Sequence, residues 1–298
     1  MIHTHFPHVR IAVLVGCLVA FGIGCDNSVT QEIPDPEATP EGWSLVWSDE
    51  FDGTEVDTTK WEYQLGDGCD QSVGNDLCGW GNNELQFYQE ENASVSDGVL
   101  TITARQSIAD EDGDGANDTT YTSARLRTLG KGDWTYGRFE IKAKLPTGQG
   151  LWPAIWLLFS EDTYGGWAAS GEIDIMEAIG SEPDEVFGTI HYGGPFPDNV
   201  FTGEDFRLSS GTFADDFFVF TTEWEEGEIR WYVNNVLYRT ETEWFSTGGE
   251  YPAPFDHPFH MILNVAVGGN LPGSPDASTT FPQTMQVDYV RVYERTAE

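Results

Sequence analysis

Gly137-Arg-Phe-Glu-Ile-Lys-Ala-Lys-Leu145 alternates without interruption. Phe139, Ile141, Ala143 and Leu145 fall on one face, while Arg138, Glu140, Lys142 and Lys144 fall on the other. A period of two marks an antiparallel strand with one face on a core and the other in water. Val99-Leu-Thr-Ile-Thr-Ala-Arg105 repeats the pattern upstream. Working outward, further strands are predicted at 154–159, 172–178, 187–192, 217–224, 229–233, 236–240, 260–267 and 286–294. Asn234-Asn235, between two of these, is a hairpin signal, because asparagine tolerates the left-handed backbone a tight turn needs. No segment carries an amphipathic helix longer than about three turns. The reading is all-β: a two-sheet sandwich, one sheet of which offers a concave cleft.

One predicted strand is unlike the rest. Ser170-Gly-Glu-Ile-Asp-Ile-Met-Glu177 holds three carboxylates within six residues, spaced by large apolar side chains. Burying like charges together is costly, so a strand would not carry them merely to fold. In a regular strand Glu172 and Asp174 share a face and Glu177 lies on the other. One extra residue in a bulge, at Ile175 or Met176, turns Glu177 onto the face of Glu172. Two glutamates flanking a sugar, their carboxyls roughly 5–5.5 Å apart, are the machinery of a retaining glycosidase. The competing reading is an amphipathic strand with a solvated polar face. Trp152, Trp156 and Trp167 close upstream favour the first, since aromatic faces stack on pyranose rings.

Composition narrows the partners. Against 14 basic side chains stand 50 acidic ones, a formal net charge of −36. That excludes nucleic acid and anionic membrane surfaces as partners of the folded part, and disfavours a highly anionic polysaccharide. Aromatic residues make up 13% of the 298, enough for a sizeable core in one large β domain. No internal repeat and no second domain are visible. Cys69 and Cys78 lie close together in a Gly- and Asp-rich loop. Behind an export signal they read as a disulfide; as a metal site they would lack further Cys or His ligands.

Residues 1–24 read as that signal: Arg10 and three histidines precede an apolar run from Ile11 to Gly24, too short to span a bilayer comfortably. Residues 25–42, acidic and proline-containing, read as a tether, and 43–298 as the catalytic domain. Asp110-Glu-Asp-Gly-Asp-Gly-Ala-Asn-Asp118 opens like a calcium loop, but Tyr121 stands where the twelfth-position Glu is required. A solvated surface loop is the preferred reading.

Taken in order, several motifs resemble glycoside hydrolase family 16, and within it the bacterial endo-β-1,3-glucanases, or laminarinases. They are Trp47-Ser-Asp-Glu-Phe-Asp52, Cys78-Gly-Trp-Gly-Asn-Asn-Glu-Leu-Gln86, Tyr136-Gly-Arg-Phe-Glu-Ile141 and Gly150-Leu-Trp-Pro-Ala-Ile-Trp156. Gly171 to Glu177, His191-Tyr-Gly-Gly194, Leu263-Asn-Val-Ala-Val-Gly-Gly-Asn270 and Val287-Asp-Tyr-Val-Arg-Val-Tyr293 complete the set. The resemblance implies a concanavalin-like jelly roll with the glucan across its concave face. It implies Glu172 as nucleophile, Asp174 as its electrostatic partner and Glu177 as acid/base. It further implies sugar contacts from Asn83, Glu84, Arg125, Trp152, Trp156, Trp167 and His191, with Trp43, Trp47, Trp224 and Trp231 left to structure. No catalytic cofactor is implied. One structural calcium is, held by main-chain oxygens of Glu50 and Gly98 and the carboxylate of Asp288. Leu271, where the family usually has Trp, and Ala178, after the acid/base, are departures.

The family's β-1,3-glucanases carry the longer E-x-D-x-x-E form, which stands here, whereas lichenases carry E-x-D-x-E. Agarases and carrageenases share the longer form, but the Gly150–Trp156 and Trp167 surroundings resemble those of laminarinases. The resemblance therefore implies a retaining endo-glucanase acting on internal β-1,3 linkages, as in laminarin, and a monomer is expected. Mixed-linkage glucan, a marine galactan such as agar, or non-catalytic glucan binding on the same fold are the alternatives. The signal ends Phe21-Gly-Ile-Gly-Cys25, which resembles a lipobox, with Gly22 a departure. Cys25 is expected to carry lipid and to tether the exported enzyme to a membrane, as multiple acyl chains do stably, with simple cleavage and secretion the alternative. Mass spectrometry of the mature N-terminus should find an acylated Cys25; an unmodified terminus beginning elsewhere refutes it.

Overall fold

The computed structural model describes residues 39–69, 77–109 and 118–296. The expected signal, Cys25, nearly all of the tether and residues 110–117 of the acidic loop lie outside these. In chain order the strands begin β1 (Trp43–Asp49), β2 (Glu62–Tyr63), β3 (Gln86–Tyr88), β4 (Ala93–Ser96), β5 (Val99–Ala109) and β6 (Asp118–Ser123). Then come β7 (Arg125–Arg127), β8 (Asp133–Trp134), β9 (Gly137–Lys144), β10 (Leu151–Phe159), β11 (Glu172–Glu177) and β12 (Glu185–Gly193). The last are β13 (Asn199–Arg207), β14 (Phe218–Glu225), β15 (Glu228–Val233), β16 (Val236–Glu241), β17 (Phe259–Val267) and β18 (Gln283–Arg295).

They form two sheets, as expected of a jelly-roll sandwich. The ten-stranded sheet runs β16-β15-β14-β9-β18-β5-β6-β3, with β1 on β18 and β4 on β5. The eight-stranded sheet runs β13-β12-β11-β10-β17-β7-β2, with β8 on β17. Of these pairings only β3 with β6 is parallel among the described residues. The core lies between the sheets: Phe139, Ile141 and Ala143 of β9 are fully buried, as are Ile173, Met261, Leu263 and Val265 opposite. Trp224 and Trp231 are buried whole, and Trp47 packs edge-on against Trp61 and Trp134. Asn234 and Asn235 both take positive φ, 47° and 64°, and close the β15–β16 hairpin as anticipated.

The outer face of β9 departs from expectation. Alternation places Arg138 and Glu140 in water, yet each is only 6% exposed. Arg138 donates to Glu140 at 2.9 Å and Glu223 at 2.7 Å, Tyr289 donates to Glu140 at 3.1 Å, and Arg230 joins Glu223 and Glu225. Buried ions persist only when paired and hydrogen-bonded, and here each is.

Along one edge of β18, the partner changes from β5, at Gln283–Val287, to β1, at Val290–Arg295. Asp288 falls in the gap and is also the bulged residue against β9. The pairings that flank the gap are Asp49 with Val290 and Leu100 with Val287, so Glu50 lies one residue past Asp49 and Gly98 two residues before Leu100. The Asp288 carboxylate, however, accepts from Lys142 at 2.6 Å, and that of Glu50 is held by Arg291 at 2.9 Å. Cys69 and Cys78 are joined as a disulfide.

Candidate active site

The acids lie on β11, in the middle of the eight-stranded sheet. On β12, Asp174 faces Thr189 and Glu177 faces Phe187, so three steps on β11 match two on its partner. On the other side, Met176 faces Ile155 while Asp174 faces Trp156, which leaves Ile175 as the additional residue. This is the bulge the spacing called for. Ile175 and Met176 both enter the core, 2% and 0% exposed, and Glu177 returns to the face of Glu172 and Asp174. The main-chain carbonyl of Asp174 accepts from Trp231 Nε1, reaching across from the other sheet, at 2.8 Å.

Each glutamate is held by one indole. Trp167 Nε1 donates to Glu172 Oε2 and Trp152 Nε1 to Glu177 Oε1, both at 2.9 Å. An indole N–H only donates, so each carboxylate keeps one oxygen fixed and one free for chemistry. His191, opposite Glu172 on β12, brings Nε2 to 3.7 Å from Glu172 Oε1 and 3.4 Å from Asp174 Oδ2.

Burial pushes Glu172 up to about 7, with the charge of Asp174 adding to the rise and His191, Trp167 and Arg125 opposing it. Burial pushes Glu177 well above the usual carboxylate range, and the charges of Asp174 and Glu172 add to it. Of the two, Glu177 is pushed the harder towards its protonated form. Burial alone would lower His191, but the Asp174 carboxylate 3.4 Å away and the charge of Glu172 outweigh that and raise it to about 9. Donor atoms of Glu172, Asp174 and His191 lie within 4.8 Å of one another, the composition of a small metal site. The cluster reads as charge pairing.

The other expected contacts spread to one side. Arg125 on β7 lies between the rings of Trp80 and Trp156, 4.5 and 4.9 Å from their centroids, and donates to Gln64 at 2.7 Å. Trp156 donates to Asn264 at 2.8 Å. Asn83 is exposed and bonds Asn270 at 2.7 Å. Glu84 is buried, as Arg125 is. It is 9% exposed, and its carboxylate accepts from Gln86 at 2.7 Å, Tyr88 at 3.2 Å and Asn82 at 3.4 Å. Sequence reasoning passed over Tyr88, Trp80 and Asn264. Asn264 had a signal, a lone amide in the apolar run of β17.

Comparison with known proteins agrees with this geometry. The family model for glycosyl hydrolases family 16 matches residues 81–291. A glucan endo-1,3-beta-glucosidase A1 of Niallia circulans is 44% identical over 91% of this chain and 42% of its own length, so this chain spans under half of that relative. A beta-glucanase of Rhodothermus marinus is 42% identical over 95% of this chain and 92% of its own. The crystal structure of the laminarinase catalytic domain from Thermotoga maritima MSB8 superposes with a TM-score of 0.74 at 41% identity, covering 86% of this chain and 100% of that one.

The cation at His191 sets a pH dependence. A rate that needs ionised Glu172 and protonated Glu177 falls as pH drops through the first titration of the pair and again as it rises through the second. Removing the imidazolium withdraws an interaction that favours both carboxylates charged, so both titrations move up. His191→Asn should shift both limbs of the kcat/KM profile to higher pH. A lowered but unshifted profile refutes the assignment.

Proposed function

The chain belongs to glycosyl hydrolase family 16, and on that premise we propose that it cleaves internal β-1,3 linkages of β-glucans with retention, through the acids on β11. The observation that carries the reading is the single-residue bulge between Asp174 and Glu177, which gathers three acids on one face with each glutamate fixed by an indole. An oxygen of Glu172 bonds to the anomeric carbon as the glycosidic C–O bond breaks, and the departing oxygen takes the proton of Glu177. Esterification removes the charge of Glu172, so the pKa of Glu177 falls. Glu177 then accepts a proton from water, whose oxygen adds to the anomeric carbon and releases Glu172. Asp174, 2% exposed, holds negative charge beside the reacting centre and keeps His191 protonated. The steps draw on side-chain acids and require no cofactor.

Support for laminarin comes from the Gly150–Trp156 and Trp167 surroundings, which resemble those of laminarinases; the six-residue acid motif argues against a lichenase, and the charge of −36 disfavours sulfated chains. Non-catalytic binding is disfavoured because both glutamates stand with an oxygen free. Glu177→Gln should lower turnover on laminarin by roughly 10²–10⁴-fold, with Glu172→Gln at least as damaging, Asp174→Asn less so, and binding retained. Proton NMR of fresh product should show the β-anomer first. Near-normal activity of Glu172→Gln, or faster hydrolysis of agarose than of laminarin, would overturn the respective parts.

Calcium belongs to the same proposal. Main-chain oxygens of Glu50 and Gly98 at the gap beside β18 would bind it, with Asp288 exchanging Lys142 for the ion. A hard cation bound by the folded state alone adds its binding free energy to stability. Calcium added to metal-stripped protein should raise the Tm without changing the products; no shift removes the site.

A further inference from the structure

Apart from Trp167 and His191, the sugar contacts assigned above lie to one side of the acids or beside them. Arg125 and Trp156 stand on β7 and β10, and Asn83 next to β3. Glu172 and Glu177 follow one another along β11, so a bond flanked by both must cross that strand. A glucan cut internally therefore runs across the strand order, over β10, β17 and β7 on one side and over β12 and β13 on the other. The second side has no assigned contact past Trp167 and His191.

Register describes its floor. Glu172 pairs with His191 and His191 with Phe201, so the three form a row on one face. Phe201 is 66% exposed on the edge strand, its ring centroid 5.7 Å from that of His191. The ring of Trp167 lies 5.5 Å from the same imidazole. Phe196, 74% exposed in the turn between β12 and β13, donates its main-chain N–H to the carbonyl of Trp167 at 2.8 Å. Two residues beyond Phe201 on the same face is Gly203, with no side chain to close the floor. A lone exposed phenylalanine needs no explanation. This one continues the line of the acids, has a second exposed ring on the adjoining turn, and lies two strands, roughly 10 Å, from Glu172. That distance reaches beyond a sugar at the scissile bond.

We propose that Phe201, with Phe196 exposed on the adjoining turn, forms a stacking subsite for a pyranose ring of the same glucan, beyond the sugar at the scissile bond. The proposal rests on the glucan-hydrolase reading above. The occupant follows from continuity with the cleft: an exposed ring aligned with the acids offers a flat apolar surface, the complement of a pyranose C–H face.

The test measures kcat/KM of the full chain on laminari-oligosaccharides from trimer to heptamer. Phe201→Ala should reduce the ratio of heptamer to trimer kcat/KM by roughly tenfold, and Phe201→Tyr should restore it. The exposed position predicts an unchanged Tm, which separates binding from folding. An unchanged ratio in Phe201→Ala overturns the subsite. So does an equal loss at every length with a displaced pH profile, which would mean that Phe201 acts only by positioning His191. Wild-type protein inactive on the whole series would instead sink the hydrolase reading, and the subsite with it.

Discussion

Three carboxylates in one central strand, all turned to the same face, repel one another in a place where water cannot screen them. Everything around β11 answers that repulsion. The extra residue at Ile175 sends two consecutive apolar side chains into the core, so the strand stays anchored while its acids stay together. Trp231 from the opposite sheet satisfies the carbonyl of Asp174 at the irregularity. His191 supplies one positive charge and Glu177 retains a proton, so the cluster carries less charge than its formula suggests. The sandwich is thus both the source of the difficulty, by burying the acids, and the frame that makes their unequal titration useful.

Much of this was legible from local pattern. Phe139, Ile141 and Ala143 announced a half-buried strand, and E-x-D-x-x-E announced a bulge, because a period of two leaves little freedom about which side chains share a face. Strand β13 was missed. Asn199-Val-Phe-Thr-Gly-Glu-Asp-Phe-Arg207 is an exposed edge, so no buried face imposes alternation on its sequence. The short β2, β7 and β8 escaped for another reason: each is held by long-range pairing rather than by any pattern of its own. Arg138 and Glu140 read as wet because burial by neighbouring strands is a tertiary fact that alternation does not carry.

The site shows the same division. Side chains on strands, such as Trp152, Trp156 and His191, came to the acids where register put them. Glu84, in a loop, was visible as a residue but not as an orientation. Its hydrogen bonds to Gln86 and Tyr88, two and four residues further along the chain, set how the carboxylate turns, and residue spacing alone does not reveal them.

The two indole bonds carry one more consequence. Trp152 and Trp167 grip different glutamates and cannot exchange them, since each is set on its own segment. With the proposed roles so fixed, the ends of the site are not interchangeable. A polysaccharide has polarity, a reducing and a non-reducing end, and only one threading presents an anomeric carbon to Glu172 with its linking oxygen toward Glu177. A strand laid in the opposite sense would meet the same aromatic walls with its bond reversed and lie there uncut. The protein therefore reads direction along the polymer before it breaks anything.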